Sequence, residues 1–221
     1  MERKEAIRSA YRLTGGNSFY DGMITCSTLS GKAVCRLVWA MNKAENDAYL
    51  EKALSGIPEH FSGELLEVPV GTGVLTMPLY RTMPKADITC LDYSADMMGQ
   101  AQEKADRLHL KNVTFQQGDV GTLPYADGAF DIVLSLNGFH AFPDKEAAYR
   151  EVFRVLKPGG TFFICNEANG ETAKDDKWTQ IINGMTIYTD ADLKVYLEQA
   201  GFGRVQSHKN KKGWLCVTAQ K

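Results

Sequence analysis

Two glycines and two acidic residues have a spacing that suits a nucleotide-like ligand. Gly71 and Gly73 lie in LLEVPVGTGVLT, directly after an apolar run. Because glycine has no Cβ, the backbone can turn tightly there and a ligand can approach it closely. Asp92 follows Gly73 by about 20 residues, a spacing at which an acid can accept hydrogen bonds from ribose hydroxyls. Asp119 can accept from an exocyclic amine such as adenine N6, and the backbone N–H of Val120 can face a ring nitrogen.

Each of these features also has a purely structural explanation. A strand–helix turn can account for one glycine, although it accounts less well for the pair in GTG. Asp92 can cap the helix that begins near Ser94, and Asp119 can lie in a surface turn. Only the ordered set of features favours a ligand site.

The elements that position these residues alternate regularly between strand and helix. From about residue 63, five apolar strand segments are each followed by a helical or turn segment, and two further strands close the chain. Near-continuous apolar strands between helices indicate a parallel sheet that is covered on both faces. The last two strands have no helix between them, so we expect them to pair antiparallel at one edge. The predicted fold is α/β: a doubly wound, seven-stranded, mostly parallel sheet with an antiparallel C-terminal hairpin.

The first 60 residues contain helical patterns and no obvious strand. A helix is predicted before Gly15 and Gly16, and another over the segment GKAVCRLVWAMNKAENDAYLEKALSGIP. We therefore expect a helical arm over residues 1–60, which would act as a lid, and a ligand-binding domain over residues 61–221.

Composition and charge exclude several classes of function. The net charge of -2 and the pI near 6.1 disfavour a nucleic-acid partner, which usually requires a basic face. The five cysteines are scattered without metal-ligand spacing, so we predict neither a disulfide framework nor a metal site. The charged N-terminus has no signal-peptide core, and no apolar run is long enough for an integral membrane segment. These observations favour the cytoplasm, and we expect a monomer or a homodimer.

The ordered motifs resemble a known family. The segments LLEVPVGTG, ITCLDYSADMM, GDVGTLPYADGAFDIVLS and EVFRVLKPGGTFFI are together similar to the class I S-adenosylmethionine-dependent methyltransferases. The likeness is greatest for the small-molecule branch that includes the ubiquinone and menaquinone methylases. It covers about residues 63–165, and the C-terminal hairpin fits the Rossmann-like seven-stranded sheet of that family.

The resemblance implies S-adenosylmethionine as the cofactor and S-adenosylhomocysteine as its product, and it assigns roles to matching positions. Glu67, Gly71 and Gly73 correspond to the first motif, which meets the methionyl part of the cofactor. Pro69 stands where that motif has its first glycine, and proline removes an N–H donor there. The remaining cofactor positions comprise the ribose acid, two side chains over the adenine, the adenine-edge pair and a residue at the boundary with the acceptor: Asp92, Tyr93, Met97, Asp119, Val120 and Asn137.

The acceptor site is expected between the arm and the ends of the fourth and fifth strands. His140, just past strand four, is a candidate general base, and Tyr20 is a candidate for contact with the sulfonium or the acceptor. A packing or capping role remains the simpler explanation for both. The residues predicted to bind the acceptor combine aromatic and polar side chains of the arm with the end of strand five: Tyr11, Phe19, Tyr20, Asp21, Trp39, Asn166 and Glu167.

The reaction favoured by the sequence is methyl transfer to a small-molecule or lipid-like acceptor, on O, C, N or S. The nucleic-acid methylase tetrapeptide is absent after strand four, where SLNGF stands. One alternative is a protein that binds S-adenosylmethionine without catalysis. A less favoured alternative is an NAD-dependent oxidoreductase, whose fingerprint has Gly or Ala at the position that Thr76 occupies.

Overall fold

The computed structural model describes residues 19–38, 42–138, 142, 144–166, 189–209 and 215–221. The helices in these residues are α1 Phe19–Ile24, α2 Leu29–Val38, α3 Lys43–Leu54, α4 Thr76–Tyr80, α5 Ala95–Arg107, α6 Lys145–Val155 and α7 Asp190–Ala200. The strands are β1 Glu64–Glu67, β2 Asp87–Asp92, β3 Val113–Gln117, β4 Phe130–Leu136, β5 Leu156–Asn166, β6 Gly203–Lys209 and β7 Leu215–Gln220.

The strands form one seven-stranded sheet in the order β3-β2-β1-β4-β5-β7-β6. Strands β1 to β5 are parallel, whereas β7 pairs antiparallel with both β5 and β6. The predicted α/β fold is therefore confirmed. Because β7 inserts between β5 and β6, the edge strand is the earlier member of the hairpin.

Both faces of the sheet are buried by helices, as the continuous apolar strands indicated. Leu65 and Leu66 in β1 are fully buried on opposite faces, because successive side chains of a strand alternate. One face packs against α6 and α7, and the other packs against α4 and α5. This placement leaves the carboxyl ends of β1, β2 and β4 free to form a site.

Local capping signals set the starts of several helices. Ser94 caps α5 by accepting from the Met97 backbone N–H, and Thr189 caps α7 in a capping box with Asp192. Gly201 ends α7 with a left-handed φ of 107°. The sequence predicts the same signals, with Ser94 before α5, Thr189 or Asp190 before α7, and Gly201 at the end of α7.

The helical arm differs from the prediction in two ways. The single helix expected after residue 30 is two helices, α2 and α3, because Asn42 and Glu45 form a capping box that starts α3. The segment NSFYDG, which follows Gly15 and Gly16, predicts a loop, but Phe19 and Tyr20 lie in α1. The predicted helix before Gly15 lies outside the described residues.

Two boundaries in the sheet domain also differ. The segment GTGVLTMPLYRTM predicts a helix that opens on its glycines, but only the short α4 forms there, because residues 71–75 form turns. The segment DKEAAYREVFRVLKPGG predicts a helix that ends at Pro158, but α6 ends at Val155 and LKPGG already belongs to β5. Cys90, Cys165 and Cys216 are free, but Cys26 takes part in a disulfide, so the prediction of no disulfide is wrong for that cysteine.

Candidate functional site

A cavity of about 430 Å³ opens at the carboxyl ends of the central strands. In open α/β sheets this edge is where ligands bind. Every residue that the sequence assigned to the cofactor lines this one cavity: Glu67, Pro69, Gly71, Gly73, Asp92, Tyr93, Met97, Asp119, Val120 and Asn137. The structure thus brings together residues that lie far apart in the chain.

The glycine loop between β1 and α4 forms one wall of the cavity. Gly71 and Gly73 have φ values of 55° and 64°, a region that favours glycine. A Cβ on Gly73 would lie 2.9 Å from the side chains of Ala101 and Met77, so that glycine permits close packing of the loop on α5. A Cβ on Gly71 would meet nothing within 4 Å. Gly71 therefore leaves room on the cavity side of the loop.

The Asp92 carboxylate lies at the end of β2 and connects the loop to α5. Its Oδ2 accepts from the Gly71 N–H at 2.7 Å, and its Oδ1 accepts from the Ser94 N–H at 2.8 Å. The residue is 6% exposed and lines the cavity. Each carboxylate oxygen can accept a further hydrogen bond, so Asp92 can hold the loop and still accept from ligand hydroxyls. Ser94, not Asp92, provides the side chain that caps α5.

Asp119 and Val120 form a turn on another wall of the cavity. Asp119 Oδ1 accepts from the Gly121 N–H at 2.8 Å at the start of a short 3-10 helix, Val120–Thr122. The turn is held from α6, where Glu151 Oε2 accepts from the Leu123 N–H at 2.8 Å. Asp119 is exposed, so its second oxygen is accessible from the cavity side.

Glu67 ends β1 as a buried carboxyl in the cavity wall. It is 2% exposed, and its Oε2 accepts from the Tyr80 hydroxyl at 2.8 Å and from the Cys90 thiol at 3.7 Å. Burial raises the pKa of Glu67 to about 8, although the hydrogen bond from Tyr80 offsets part of that increase. The folded chain therefore holds this carboxyl in its neutral form near pH 7.

Pro69 and Gly138 pack against each other beside Asn137. A Cβ on Gly138 would overlap Cγ and Cδ of the Pro69 ring, and both residues line the cavity. The Pro69 ring thus occupies space at the junction between the first motif and the loop after β4.

The arm reaches the cavity through α1 and α3. Ile24 of α1 lines the cavity, and Tyr49 of α3 has its hydroxyl 3.4 Å from Asn137 Oδ1. Asp21, which we predicted to bind the acceptor, is 2% exposed and is not among the cavity-lining residues. Its carboxylate instead forms an ion pair with Lys104 at 2.9 Å and accepts from the Thr72 hydroxyl at 2.6 Å.

The other predicted acceptor and catalytic residues are described only partly or not at all. Tyr11, Trp39, His140 and Glu167 lie outside the described residues. The backbones of Phe19 and Tyr20 lie in α1, and that of Asn166 ends β5 opposite Leu215. The cavity also has apolar lining residues to which the sequence assigned no role, one from α1 and the others from the glycine loop and from β4 and the loop after it: Ile24, Val74, Leu75, Leu136 and Phe142.

The arrangement matches a known protein family along most of the chain. The family model described as a methyltransferase domain matches residues 62–212, which is more than half of the chain. The chain belongs to this methyltransferase domain family. The predicted resemblance to class I methyltransferases is thereby confirmed, and the site described above is the cavity of a methyltransferase domain.

Individual relatives support this assignment. The domain is 38% identical over 100 residues to the demethylmenaquinone methyltransferase of Thermus thermophilus, which covers 45% of each chain. It is 32% identical over 148 residues to the ubiquinone/menaquinone biosynthesis C-methyltransferase UbiE of Nitrobacter hamburgensis, covering 62% of this chain and 57% of the relative. The chain spans about half the length of the curated relatives it matches.

A solved structure shares the fold. The SAM dependent methyltransferase from Aquifex aeolicus superposes with a TM-score of 0.64 at 24% identity, covering 77% of this chain and 88% of that chain. No helix in the described part of the methyltransferase domain or its arm has the length and apolar character to cross a membrane. Among the same described residues, no three His, Cys, Asp or Glu side chains are grouped so as to hold a metal ion.

Proposed function

We propose that this chain transfers a methyl group from S-adenosylmethionine to a small-molecule or lipid-like acceptor. One observation supports the proposal most directly. The glycine loop, Asp92 and the Asp119–Val120 turn come from three different strand ends and line a single cavity. A nucleoside with an attached amino acid has groups that match each of them.

The residues present fit this cofactor. Gly71 leaves open space where a side chain would fill the cavity, so the cofactor can approach the loop backbone. Asp92 would accept from the ribose hydroxyls, and Asp119 and Val120 would meet the adenine edge. Tyr93 is 77% exposed at the cavity, where its ring and the Met97 side chain would cover the adenine.

The reactive sulfonium of S-adenosylmethionine supplies the methyl group when the cofactor is bound. The chain's own residues bind, orient and exclude water, which are positioning effects. Glu67 would lie near the methionyl part, where its buried carboxyl can exchange hydrogen bonds with the ligand or an intervening water. Asn137, with φ 52°, would mark the boundary between cofactor and acceptor.

The acceptor would bind between the arm and the ends of β4 and β5. Ile24, Leu75 and Leu136 make this side of the cavity apolar, and Tyr49 adds a hydroxyl beside Asn137. An apolar wall with few polar groups suits a lipid-like or aromatic acceptor. We propose residues 1–60 as the lid over this space, with Tyr11, Phe19, Tyr20, Trp39, Asn166 and Glu167 as candidate acceptor contacts.

His140 and Tyr20 are the candidates for proton transfer or acceptor positioning. His140→Gln and Tyr20→Phe separate these roles from packing, because both substitutions nearly keep the size of the side chain. A catalytic role predicts a fall in kcat of about 100-fold or more with unchanged cofactor affinity. Unchanged kcat in both variants would show that the transfer needs neither residue.

Calorimetric titration of S-adenosylmethionine, S-adenosylhomocysteine and NADH tests the cofactor assignment. The wild type should bind the first two and not NADH, and Asp92→Ala should weaken both by about tenfold or more. Asp47→Asn, which removes an exposed partner of Lys43 on α3, is the matched control and should bind as the wild type does. Binding of NADH alone would favour the oxidoreductase instead.

Product detection by mass, with a panel of quinol, phenol, amine and thiol acceptors, tests the transfer itself. A product that is heavier by one methylene unit shows the transfer, and its fragmentation then shows which atom carries the methyl group. Tight binding of both sulfur ligands with no methylated product from any acceptor would favour the alternative of a cofactor-binding protein without catalysis.

A further inference from the structure

The buried Asp21 carboxylate connects three elements that are distant in the chain. Its Oδ2 lies 2.9 Å from Lys104 Nζ on α5, and its Oδ1 accepts from the Thr72 hydroxyl at 2.6 Å. Asp21 is 2% exposed and Lys104 is 6% exposed. Helix α1 of the arm is therefore fixed to the glycine loop and to α5 by one charged group.

The ion pair between Asp21 and Lys104 cannot be broken without a large cost in free energy, because both charges are buried. A buried carboxylate or ammonium without its partner is strongly unfavourable, so Asp21 and Lys104 must stay together or become solvated together. Lys104 has a fixed position relative to the sheet, because α5 packs on the sheet through Ala101 and Ala105. Asp21 can be solvated only if α1 moves away from the loop.

The hydrogen bond to Asp21 restricts the glycine loop at Thr72, where the backbone has the most conformational freedom. Thr72 stands between Gly71 and Gly73, both with positive φ, and glycines leave the flanking backbone free to adopt many conformations. Asp92 fixes the Gly71 N–H from one side. Asp21 fixes the Thr72 side chain from the other, so the loop is held between the arm and β2.

The same helix contributes directly to the cavity wall. Ile24 lies one turn after Asp21 and lines the cavity, and its carbonyl accepts from the buried Asn46 amide at 3.1 Å. A single position of α1 thus sets the Thr72 contact and the Ile24 wall. Two sites that depend on one element are thermodynamically coupled.

We infer that Asp21, held by Lys104, is a positioning residue for the cofactor loop, and that cofactor binding therefore depends on the docked position of the arm. The inference rests on the proposed function and deepens it. The arm closes the acceptor space, and it also pre-forms the loop. Cofactor binding must in turn favour the docked arm.

Substitutions at Thr72 test this inference with little change in volume. Thr72→Val removes the hydroxyl that Asp21 accepts from, whereas Thr72→Ser keeps it. By calorimetry with S-adenosylhomocysteine, we expect Thr72→Val to raise Kd about tenfold, which is about 1.4 kcal/mol, and Thr72→Ser to stay within about twofold of the wild type. Asp47→Asn on the same arm is the control and should leave Kd unchanged.

Hydrogen exchange of the α1 amides supplies a second readout that a merely structural role would not change. S-adenosylhomocysteine should slow exchange in α1 of the wild type and should have little effect on it in Thr72→Val. Cooperative unfolding shows whether Thr72→Val is folded. If it is not, the double variant Asp21→Asn/Lys104→Met replaces it, because this variant removes both buried charges together. It should show the same loss of affinity and the same loss of ligand-induced protection from exchange in α1.

Three outcomes would overturn the inference. The first is a Kd of Thr72→Val equal to that of the wild type, and the second is an exchange rate in wild-type α1 that the ligand does not change. Either would show that the contact is structural only, and neither would contradict the proposed function. A wild type that binds neither S-adenosylmethionine nor S-adenosylhomocysteine would overturn the inference and the proposed function together.

Discussion

The ring of Pro69 fills the space that a side chain at position 138 would need. A Cβ on Gly138 would overlap Cγ and Cδ of that ring. Gly138 does not have a positive φ, so only this lack of space opposes a larger residue there. The absence of a side chain at Gly138 thus leaves the space that the Pro69 ring occupies.

Gly138→Ala should therefore destabilise the folded chain, and adding Pro69→Gly to that variant should restore its stability. We expect Gly138→Ala to lower the free energy of unfolding by about 1–3 kcal/mol, the usual cost of overpacking. The double variant should recover most of that loss, giving a coupling energy of about 1 kcal/mol or more in urea denaturation.

Gly99→Ala provides the matched control for this pair. Gly99 is exposed in α5, and an added Cβ would meet nothing within 4 Å. Alanine should stabilise α5 there by up to about 1 kcal/mol. Additive effects of Pro69→Gly and Gly138→Ala would contradict the proposed steric coupling.

Glu67 should make stability depend on pH. The pKa of its buried carboxyl is about 8 in the folded chain, against 4.5 in the unfolded chain. Between these values the folded state holds the additional proton, so the free energy of unfolding should fall as pH rises, by roughly 4 kcal/mol across the window. The stabilising effect is fully present below about pH 4.5 and is lost as pH rises through about 8.

Glu67→Gln should remove this contribution. Urea denaturation at several pH values across the window would show a flatter profile for Glu67→Gln than for the wild type. Glu103→Gln, at an exposed position of α5, should keep the wild-type profile. Equal slopes for the wild type and Glu67→Gln would contradict the neutral buried carboxyl.

Arg154 should support the Asp119–Val120 turn from α6. Its guanidinium donates to the Leu123 and Tyr125 carbonyls at 2.9 and 2.7 Å, and it pairs with Glu151, which holds the Leu123 N–H. Arg154→Met should cost about 2 kcal/mol of stability and weaken S-adenosylhomocysteine binding several-fold, because its charge-assisted hydrogen bonds to Leu123, Tyr125, Asp127 and Glu151 are all lost.

Arg150→Met is the control for this prediction. Arg150 lies on the same helix, but its pairing with Glu146 is exposed and loose, at 3.7 Å. Its removal should change stability by less than about 0.5 kcal/mol. Similar losses at the two positions would show that Arg154 has no special role at the turn.

Tyr93 should contribute to binding without contributing to stability. The residue is 77% exposed and lines the cavity. Tyr93→Ala should raise the Kd for S-adenosylhomocysteine about tenfold and change the free energy of unfolding by less than about 0.5 kcal/mol. Val195→Ala, also exposed but on α7, should leave Kd unchanged. An unaltered Kd for Tyr93→Ala would remove that ring from the proposed adenine site.

Much of the cavity was predictable because its residues lie at the ends of apolar strands. Asp92 and Asp119 each follow a run whose strand character is visible locally, and parallel strands bring such ends to one edge of the sheet. The break between α2 and α3 was also marked in the sequence. Asn42 and Glu45 have the spacing of a capping box, which marks a helix start. The helical periodicity on both sides of them favoured one continuous helix instead.

The contacts of Asp21 were not predictable in the same way. Its hydroxyl partner, Thr72, lies 51 residues further along the chain, and an acid beside aromatic residues on a surface arm suggests an acceptor contact instead. Burial decides the matter, because a carboxylate that is enclosed by the folded chain must find a donor and a cation within it. Neither enclosure nor partner is encoded in the local pattern.

The sequence by itself determined the order of strands and helices, the family and the residues at the strand ends, because hydrophobic period and capping are properties of neighbours in the chain. Only the tertiary structure decided that β7 lies between β5 and β6, that Pro69 faces Gly138, and that Glu67 holds a proton near neutral pH. These features depend on which distant segments exclude water from one another, and such exclusion exists only once the chain has folded.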